Sequence, residues 1–270
     1  MHKAMFSHKS GHSWPAGTLM AGLDDSARGA LLALGKPQPH QAGSILIRQG
    51  DPQRDHVLLL RSVRPGVSAC AKVTAALDNG VEVLLGVRVS GDIVGEMAVL
   101  QGVDRSATVT ACTPMLAFRI PAGSFLSCLN EHPRSWPALA SMIARRLDWA
   151  NRRILDLAAF DVPMRLIRVL SEVAARHGVA VDGGTDLGVR LSQPELGRLI
   201  GAKEAAVSKA VRTLKENGLL RIEYRRVIIT DLERLRAFGA GNRASPHRGE
   251  HRTAKHTAED RSGQDVIAGM

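Results

Sequence analysis

The sequence contains few aromatic residues and few cysteines. Aromatic residues make up 3% of the 270 residues, so the hydrophobic cores must consist mainly of Leu, Val, Ile and Ala, and few rings remain to stack on bases. The three cysteines, Cys70, Cys112 and Cys128, form no CxxC pair, which argues against a disulfide framework and against a zinc or iron–sulfur site. We expect these thiols to be reduced and mostly buried.

Long apolar segments are also absent. No run reaches the roughly 18 residues of a membrane-spanning helix, and the N-terminal 17 residues lack the apolar core of a signal peptide. Histidines near the N-terminus are scattered, which is more typical of a solvated tail than of a metal site. We therefore expect a cytoplasmic protein without a membrane partner and without a bound metal.

Positive charge is in excess. Lysine and arginine number 36 against 26 acidic residues, which gives a net charge of +10. Such an excess favours association with a polyanion, although a basic solvated surface is about as common an explanation. The length suits two modest domains with tails better than one domain.

The pattern along the chain predicts an α+β protein. From about residue 40 to 122, short β-branched and aliphatic runs are broken by Gly, Pro, Asp and Asn, which is typical of an all-β sandwich or roll. From residue 124 the pattern becomes helical, and both ends are too polar to fold alone. The predicted units are a disordered tail at 1–17, a β-roll at 18–130, a dimerisation helix and hinge at 131–162, a winged helix-turn-helix domain at 163–238, and a disordered tail at 239–270.

Apolar residues of one predicted helix form a narrow stripe. They alternate at spacings of four and three, the period of a two-helix seam: Trp136, Ala140, Ile143, Leu147, Ala150, Ile154 and Leu157. This spacing predicts a homodimer through residues 136–157; the alternative is an amphipathic helix that lies on its own domain. Pro163 disfavours helix at the residue before it, so we expect a hinge there, then a helix over 163–177 and a loop over 178–190.

The last third of the chain predicts a helix-turn-helix. Ser192 and Glu195 form a capping box, so a helix should begin at 193, and Gly201 should end it. The next helix carries small and cationic residues on its outer face, and a basic two-stranded wing follows. The alternative is a helical hairpin that only packs. The candidate DNA-contacting residues are Ser192, Gln193, Lys203, Glu204, Ala205, Ser208, Lys209, Arg212, Arg225 and Arg226.

The segment from Gly91 to Val109 predicts a phosphate site. Gly95 ends a strand and precedes the short helix EMAVL, whose first N–H groups attract an anion. Arg105 can hold a phosphodiester with two hydrogen bonds, and the Ser106 hydroxyl can add a donor. Glu96 would repel a phosphate unless it faced a hydroxyl, and a ribose 2′-OH meets that condition.

The full pattern G-E-M-A-V-L-x-G-x-x-R-S-A-T-V resembles the phosphate-binding cassette of cyclic-nucleotide-binding domains. Together with the long helix and the winged domain, residues 40–238 resemble the cAMP receptor protein (CRP/FNR) family. The resemblance implies that the cassette residues bind ribose and cyclic phosphate, and that the long helix forms the dimer seam and reaches the base. The candidate effector-binding residues are Gly95, Glu96, Met97, Ala98, Arg105, Ser106 and Asn151.

Some positions depart from the family pattern. Ala150 and Asn151 stand where cAMP-responsive members have two adjacent hydroxyl residues, so the effector stays open, although the Asn151 amide can still bond a purine edge. Glu204, Ala205 and Lys209 match base-reading positions, but two of them differ in chemistry, so the operator stays open as well. The four-cysteine cluster of the oxygen-sensing branch is absent.

The resulting hypothesis is a homodimeric, sequence-specific DNA-binding transcription regulator controlled by a cyclic nucleotide, with cAMP favoured over cGMP. Double-stranded DNA is the expected partner, and RNA polymerase is a further candidate. One alternative keeps the DNA-binding function without any effector, and another is a cyclic-nucleotide-sensing subunit of a different signalling protein. No motif of an enzyme supports catalysis.

Overall fold

The computed structural model describes residues 14–64, 69–223 and 226–241. Two helices, α1 (Leu19–Gly22) and α2 (Asp25–Leu34), precede the sheets. Their N-termini are capped by the side chains of Thr18 and Asp24, which accept hydrogen bonds from backbone N–H groups three residues later. Trp14 packs against the same core cluster as these helices, so ordered contacts begin inside the segment predicted as a tail.

Two four-stranded sheets form the predicted β-roll, and all strand pairs within them are antiparallel. One sheet has the order β1-β8-β3-β6 and the other β2-β7-β4-β5. The short helix α3 (Glu96–Gln101) joins the sheets beyond β6. The strands are β1 (Lys36–His40), β2 (Ile45–Ile47), β3 (His56–Ser62), β4 (Cys70–Ala76), β5 (Glu82–Val89), β6 (Ile93–Val94), β7 (Thr108–Ala111) and β8 (Met115–Pro121).

Strand β3 is buried on both faces. Leu58 and Leu60 point into the space between the two sheets, whereas Val57 and Leu59 pack against the helices. Because successive side chains of a strand point to opposite faces, an uninterrupted apolar run such as VLLL is needed where both faces are covered. This strand therefore ties the roll to the helical layer.

Helix α4 (Ala122–Glu131) leads into the long helix α5 (Ser135–Ala159), which contains 25 residues. One face of α5 packs inward through Leu139, Met142 and Trp149. The predicted seam lies on a different face and is solvent-exposed in the single chain: Leu147 is 60% and Ile154 is 64% exposed. Leu147 and Ile154 are therefore largely uncovered in the single chain, whereas Ile143 packs partly against the core of its own domain.

The last third contains the predicted helix-turn-helix and wing. Helix α6 (Val162–His177) is followed by β9 (Val179–Val181), β10 (Gly184–Asp186), α7 (Gln193–Ile200), α8 (Glu204–Glu216), β11 (Leu220–Glu223), β12 (Arg226–Ile229) and α9 (Leu232–Gly241). The sheet order is β11-β12-β10-β9.

Two expectations for this region are corrected. The segment 178–190 is not only a loop, because β9 and β10 form a hairpin that extends the wing sheet; strands of three residues give too short an alternation to recognise. The predicted tail from 239 also begins too early, since α9 continues to Gly241. A Cβ on Gly239 would lie 3.1 Å from Ile167, so this residue packs on α6.

The junction of α5 and α6 forms where the hinge was predicted. Phe160 is extended, and Asp161 caps α6 by accepting a hydrogen bond from the Met164 N–H at 3.0 Å. The β-roll also docks directly on the winged domain, because Lys72 of β4 pairs with Glu195 of α7 at 2.5 Å. No helix in the described part of the chain is long and apolar enough to cross a membrane.

Candidate nucleotide pocket and DNA-binding surface

A cavity of about 500 Å³ lies between the cassette and α5. This volume is within the range of small-molecule sites in proteins. The predicted residues that line it come from α3 and the loop before β7: Gly95, Glu96, Met97, Ala98, Arg105 and Ser106. The cassette prediction from sequence therefore converges on one cavity.

Arg105 lies at the centre of the cassette and is 4% exposed. Its Nη1 donates to the Gly95 carbonyl at 2.8 Å, and its Nη2 donates to the His56 carbonyl at 2.9 Å. Burial lowers the pKa of Arg105, and within the described part of the chain its guanidinium donates to carbonyl oxygens and not to a carboxylate. Its guanidinium is thus held in place by neutral oxygens and keeps its charge for an anionic ligand.

Gly95 is required where it stands for two reasons. Its φ of +85° lies in the left-handed region, and a Cβ there would be 2.5 Å from Arg105 Nη1. The glycine therefore allows both the turn into α3 and the approach of the arginine to the backbone.

Glu96 is 3% exposed and is already paired with an arginine of α5 that was not among the predicted pocket residues. Arg146 of α5 donates to Glu96 Oε1 at 2.6 Å, to the Ile93 carbonyl at 2.8 Å and to Asp92 Oδ1 at 3.2 Å. A hydroxyl that approached Glu96 would share this carboxylate with Arg146. The contact connects the cassette directly to the seam helix.

Arg88 is a second pocket arginine that was missed. It lines the cavity from β5, and its pKa is lowered to about 10 by burial and by the nearby charge of Arg146. Among the residues that the structure describes, the cavity wall thus carries Arg88, Arg105 and Arg146 and a single carboxylate, Glu96. Arg146 was detectable in the sequence, since it lies three residues from Ile143 and four from Ala150 on one helical face.

Asn151 does not line this cavity, in contrast to its predicted place beside the ligand. Helix α5 presents Ile143, Arg146, Leu147 and Ala150 to the pocket, at spacings of three, one and three residues. The next residue is turned by about 100° around the helix, so Asn151 is exposed between the seam residues Leu147 and Ile154.

The helix-turn-helix presents the predicted surface. Ser192 and Glu195 form both hydrogen bonds of the capping box at the start of α7. On α8, Val207, Val211 and Leu214 are buried. The opposite face of the helix and its start are exposed: Lys203, Glu204, Ala205, Lys209 and Arg212.

Ser208 and Gln193 are partly committed to each other. The Ser208 hydroxyl donates to Gln193 Oε1 at 2.6 Å and so fixes the start of α7 against α8. In the wing, Arg226 Nε donates to Asp186 Oδ2 at 2.7 Å, which gives this arginine a protein partner instead of a free charge. Arg225 lies outside the described residues.

Comparison with known proteins agrees with this arrangement. Residues 37–132 match the model of the cyclic nucleotide-binding domain, and residues 164–238 match that of the Crp-like helix-turn-helix domain. The CRP-like cAMP-activated global transcriptional regulator of Mycobacterium tuberculosis is 28% identical over 217 residues, which cover 80% of this chain and 94% of that protein. The cAMP-activated global transcriptional regulator CRP of Escherichia coli O157:H7 is 23% identical over 214 residues, covering 73% and 98%.

Solved structures show the same fold. The c-di-GMP responsive global regulator CLP of Xanthomonas campestris has a TM-score of 0.64 and 23% identity, and the match covers 77% of this chain and 100% of that one. Both domain models, their order along the chain and the cassette geometry lead to one assignment. The chain belongs to the CRP/FNR family of DNA-binding transcription regulators that carry a cyclic-nucleotide-binding domain.

Proposed function

We propose that this protein is a cytoplasmic, homodimeric transcription regulator whose affinity for DNA is set by a cyclic nucleotide, with cAMP as the first candidate, and that it is not an enzyme. The observation that carries the proposal is the buried Arg105, charged and held by carbonyl oxygens in a cavity that the seam helix closes. The names of the relatives from M. tuberculosis and E. coli support cAMP.

In this proposal the cyclic phosphate pairs with Arg105 and Ser106, and the ribose hydroxyl approaches Glu96. A bidentate contact between guanidinium and phosphate is strong in a site that excludes water. The hydroxyl would compete with Arg146 for Glu96, so occupation of the pocket would change how α5 is held against the cassette. Met97 and Ala98 supply the wall of the same turn.

A route from the pocket to the DNA-binding domain runs along α5. Its last turn is tied to α6, because the buried Asp156 pairs with Arg153 at 2.8 Å and with Arg168 at 2.5 Å. Leu157 lies so close to the turn between α7 and α8 that a Cβ on Gly201 would be 2.6 Å from its Cδ2. A shift of α5 would therefore displace the helix-turn-helix. Such a coupling is consistent with a population shift between two orientations of the DNA-binding domain.

The exposed stripe on α5 supports the dimer. Leu147, Ile154 and Leu157 are at least half exposed at heptad-like spacing, and apolar residues in such a row need a partner helix. Asn151 lies within this row, so it would face the second subunit. Two recognition helices related by a twofold axis would read a near-palindrome with half-sites about one helical turn apart.

On each half-site, Lys209 and Ser208 of α8 would face the bases and Arg212 would contact a neighbouring phosphate, while Glu204 would accept from a cytosine amino group. Ala205 is small enough to let the helix approach the groove. Three residues of the helix-turn-helix would lie near the phosphates: Lys203, Ser192 and Gln193. The wing would approach the phosphates through Arg225 and Arg226.

Titration calorimetry tests the effector. The full-length protein would be titrated with cAMP, cGMP and c-di-GMP, and bound sites would then be selected from random DNA with and without the ligand that gives heat. We expect cAMP to bind and to enrich one near-palindromic sequence. Heat from c-di-GMP alone would replace cAMP as the effector, whereas DNA binding without heat from any ligand would favour the effector-independent alternative.

A seam variant tests the dimer separately. Ile154→Glu should produce a monomer in light scattering because it buries charge in the seam, and Leu77→Glu, at another exposed apolar position in the turn after β4, should not. A dimer that survived Ile154→Glu would move the interface elsewhere. Recovery of a stoichiometric enzyme partner, with no duplex bound at low ionic strength, would favour the signalling-subunit alternative.

A further inference from the structure

Two of the three cysteines are neighbours across the β-sheet, although 42 positions separate them in the chain. Strands β4 and β7 pair antiparallel with Ala71 opposite Ala111, so Cys70 and Cys112 form the next rung. The Cys112 N–H donates to the Cys70 carbonyl at 2.7 Å. Hydrogen-bonded partners in such a ladder have Cα atoms about 5.5 Å apart, within the range that a disulfide spans.

Both thiols point away from the interior of the roll. Ala71 and Ala111 belong to the core between the two sheets, and side chains alternate along a strand. Cys70 and Cys112 therefore lie on the opposite face, where both pack against the core of the winged domain. Cys70 is fully buried and Cys112 is only half-buried.

The surroundings make the two sulfurs chemically different. A hydrogen bond from the Cys70 thiol raises the pKa of Cys70 and lowers the pKa of Cys112. At Cys112 this hydrogen bond is the largest effect, and together with a smaller contribution from Lys72 it outweighs burial and the charge of Glu195, which act in the opposite direction. Oxidation-sensitive cysteines are accessible, have thiolate character and lie beside a resolving thiol. Cys112 meets the first two conditions and Cys70 supplies the third.

We propose that Cys70 and Cys112 are a peroxide-oxidisable dithiol at the contact between the β-roll and the winged domain. The proposal is independent of nucleotide binding, because neither cysteine lines the pocket.

The reaction needs one hydroperoxide. The Cys112 thiolate attacks a peroxide oxygen, the O–O bond breaks, and after proton uptake the products are a sulfenic acid and water. The Cys70 sulfur then attacks the Cys112 sulfur, the S–O bond breaks, and the hydroxyl leaves as water with the proton of Cys70. In total, two thiols lose two electrons and two protons, and hydrogen peroxide is reduced to two molecules of water.

The disulfide would lie next to the docking contact. Lys72, two residues from Cys70, pairs with Glu195, which is also part of the capping box of α7. A disulfide between β4 and β7 would change the surface that contacts α7. Because α7 belongs to the helix-turn-helix, oxidation should change DNA affinity. The direction is left to the measurement, and an affinity equal in the reduced and oxidised protein would overturn this coupling.

Thiol counting by mass spectrometry tests the site. The reduced full-length protein is treated with hydrogen peroxide, denatured and alkylated with N-ethylmaleimide. We expect the chain to fall from three adducts to one, with a peptide cross-link between Cys70 and Cys112 that dithiothreitol removes. Three adducts after peroxide, a cross-link to Cys128, or a disulfide only between chains would overturn the proposal.

Single variants make the test specific. Cys112→Ser should abolish the cross-link, and Cys70→Ser should leave a sulfenic acid on Cys112 that a dimedone probe captures. Cys128→Ser is the matched control, because Cys128 is buried in α4 within a different core cluster, and it should leave the cross-link unchanged. A sulfenic acid that formed on Cys70 instead would reverse the assigned order of the two sulfurs.

Discussion

The protein has two cationic sites that differ in how they hold charge. In the pocket, Arg105 and Arg146 are surrounded by protein and make hydrogen bonds to carbonyl and carboxylate oxygens. On the recognition helix, Lys209 and Arg212 are exposed to solvent. The buried pocket suits one small anion of fixed shape. The exposed recognition helix suits a long polyanion, which can bind in several positions along its length.

This difference predicts how each site responds to mutation and to salt. A buried charge contributes binding energy through hydrogen bonds of fixed geometry, so a small displacement of the group removes most of that contribution. Exposed charges act additively through counterion release, so each contributes a similar amount and salt weakens all of them. Single substitutions and salt titrations can therefore separate these two behaviours.

The largest effect is expected for Arg105→Ala. Loss of a desolvated guanidinium that pairs with phosphate should weaken nucleotide binding by about 3 kcal/mol, or roughly 100-fold, as measured by calorimetry. The circular dichroism spectrum should be unchanged, and Arg54→Ala, an exposed arginine nearby, serves as the control. Unchanged affinity in Arg105→Ala would mean that the pocket does not bind phosphate.

Lys209→Ala should alter sequence preference. If Lys209 faces a base edge, its removal should cost about 2 kcal/mol at one position of the half-site and little at the others. Competition binding on a panel of singly substituted duplexes measures this profile. A uniform loss across all positions would place Lys209 on the phosphates.

Acid should destabilise the folded protein because it protonates His177, the last residue of α6. Burial lowers its pKa to about 4 from an ordinary value of 6.5, so the folded state favours the neutral ring and the unfolded chain takes up the proton first. Stability from this group is complete above about pH 6.5 and is lost as the pH falls towards 4, by about 2 kcal/mol between pH 7 and pH 5.

Urea unfolding of His177→Gln and of the unmodified protein at both pH values isolates this contribution. The difference in unfolding free energy between the two proteins should shrink towards the acidic side. A constant difference would show that His177 titrates as it does in the unfolded chain.

Arg212→Ala should mainly change the response to salt. Loss of one phosphate contact should reduce the slope of log affinity against log salt by about one unit without a change in base preference. Nucleotide binding in the buried pocket should vary much less over the same salt range. If the nucleotide affinity fell as steeply as the DNA affinity, the contrast between the two sites would fail.

Local signals in the sequence predicted most of the fold and most of the cassette. The capping box at Ser192 and the breaks at Pro163 and Gly201 act within a few residues, and the structure has helix boundaries at each of them. The cassette was recognisable because Gly95 and Arg105 must meet across ten residues in one fixed geometry. Such short-range constraints appear directly in the order of residues.

Long-range partners were not predictable in the same way. Arg146 meets Glu96 across 50 positions, and Cys70 meets Cys112 across the sheet, which requires the register of the strands. Hairpin β9–β10 was missed because three-residue strands show no clear alternation. Asn151 was placed in the pocket by resemblance, whereas the helical angle between Ala150 and Asn151 turns it towards the seam.

The smallest effect is expected for Arg226→Ala, although the sequence alone made Arg226 a candidate DNA contact. Asp186 accepts a hydrogen bond from Arg226, so the pair has little net charge to offer a phosphate. We expect a loss of under about 0.5 kcal/mol in DNA affinity and no change in base preference, since a partly exposed ion pair contributes little. Asp186→Asn is the informative counterpart: it frees Arg226 and should strengthen binding to all duplexes at low salt. If Arg226→Ala instead flattened the salt slope as much as Arg212→Ala, the wing arginine would have to leave Asp186 when DNA binds.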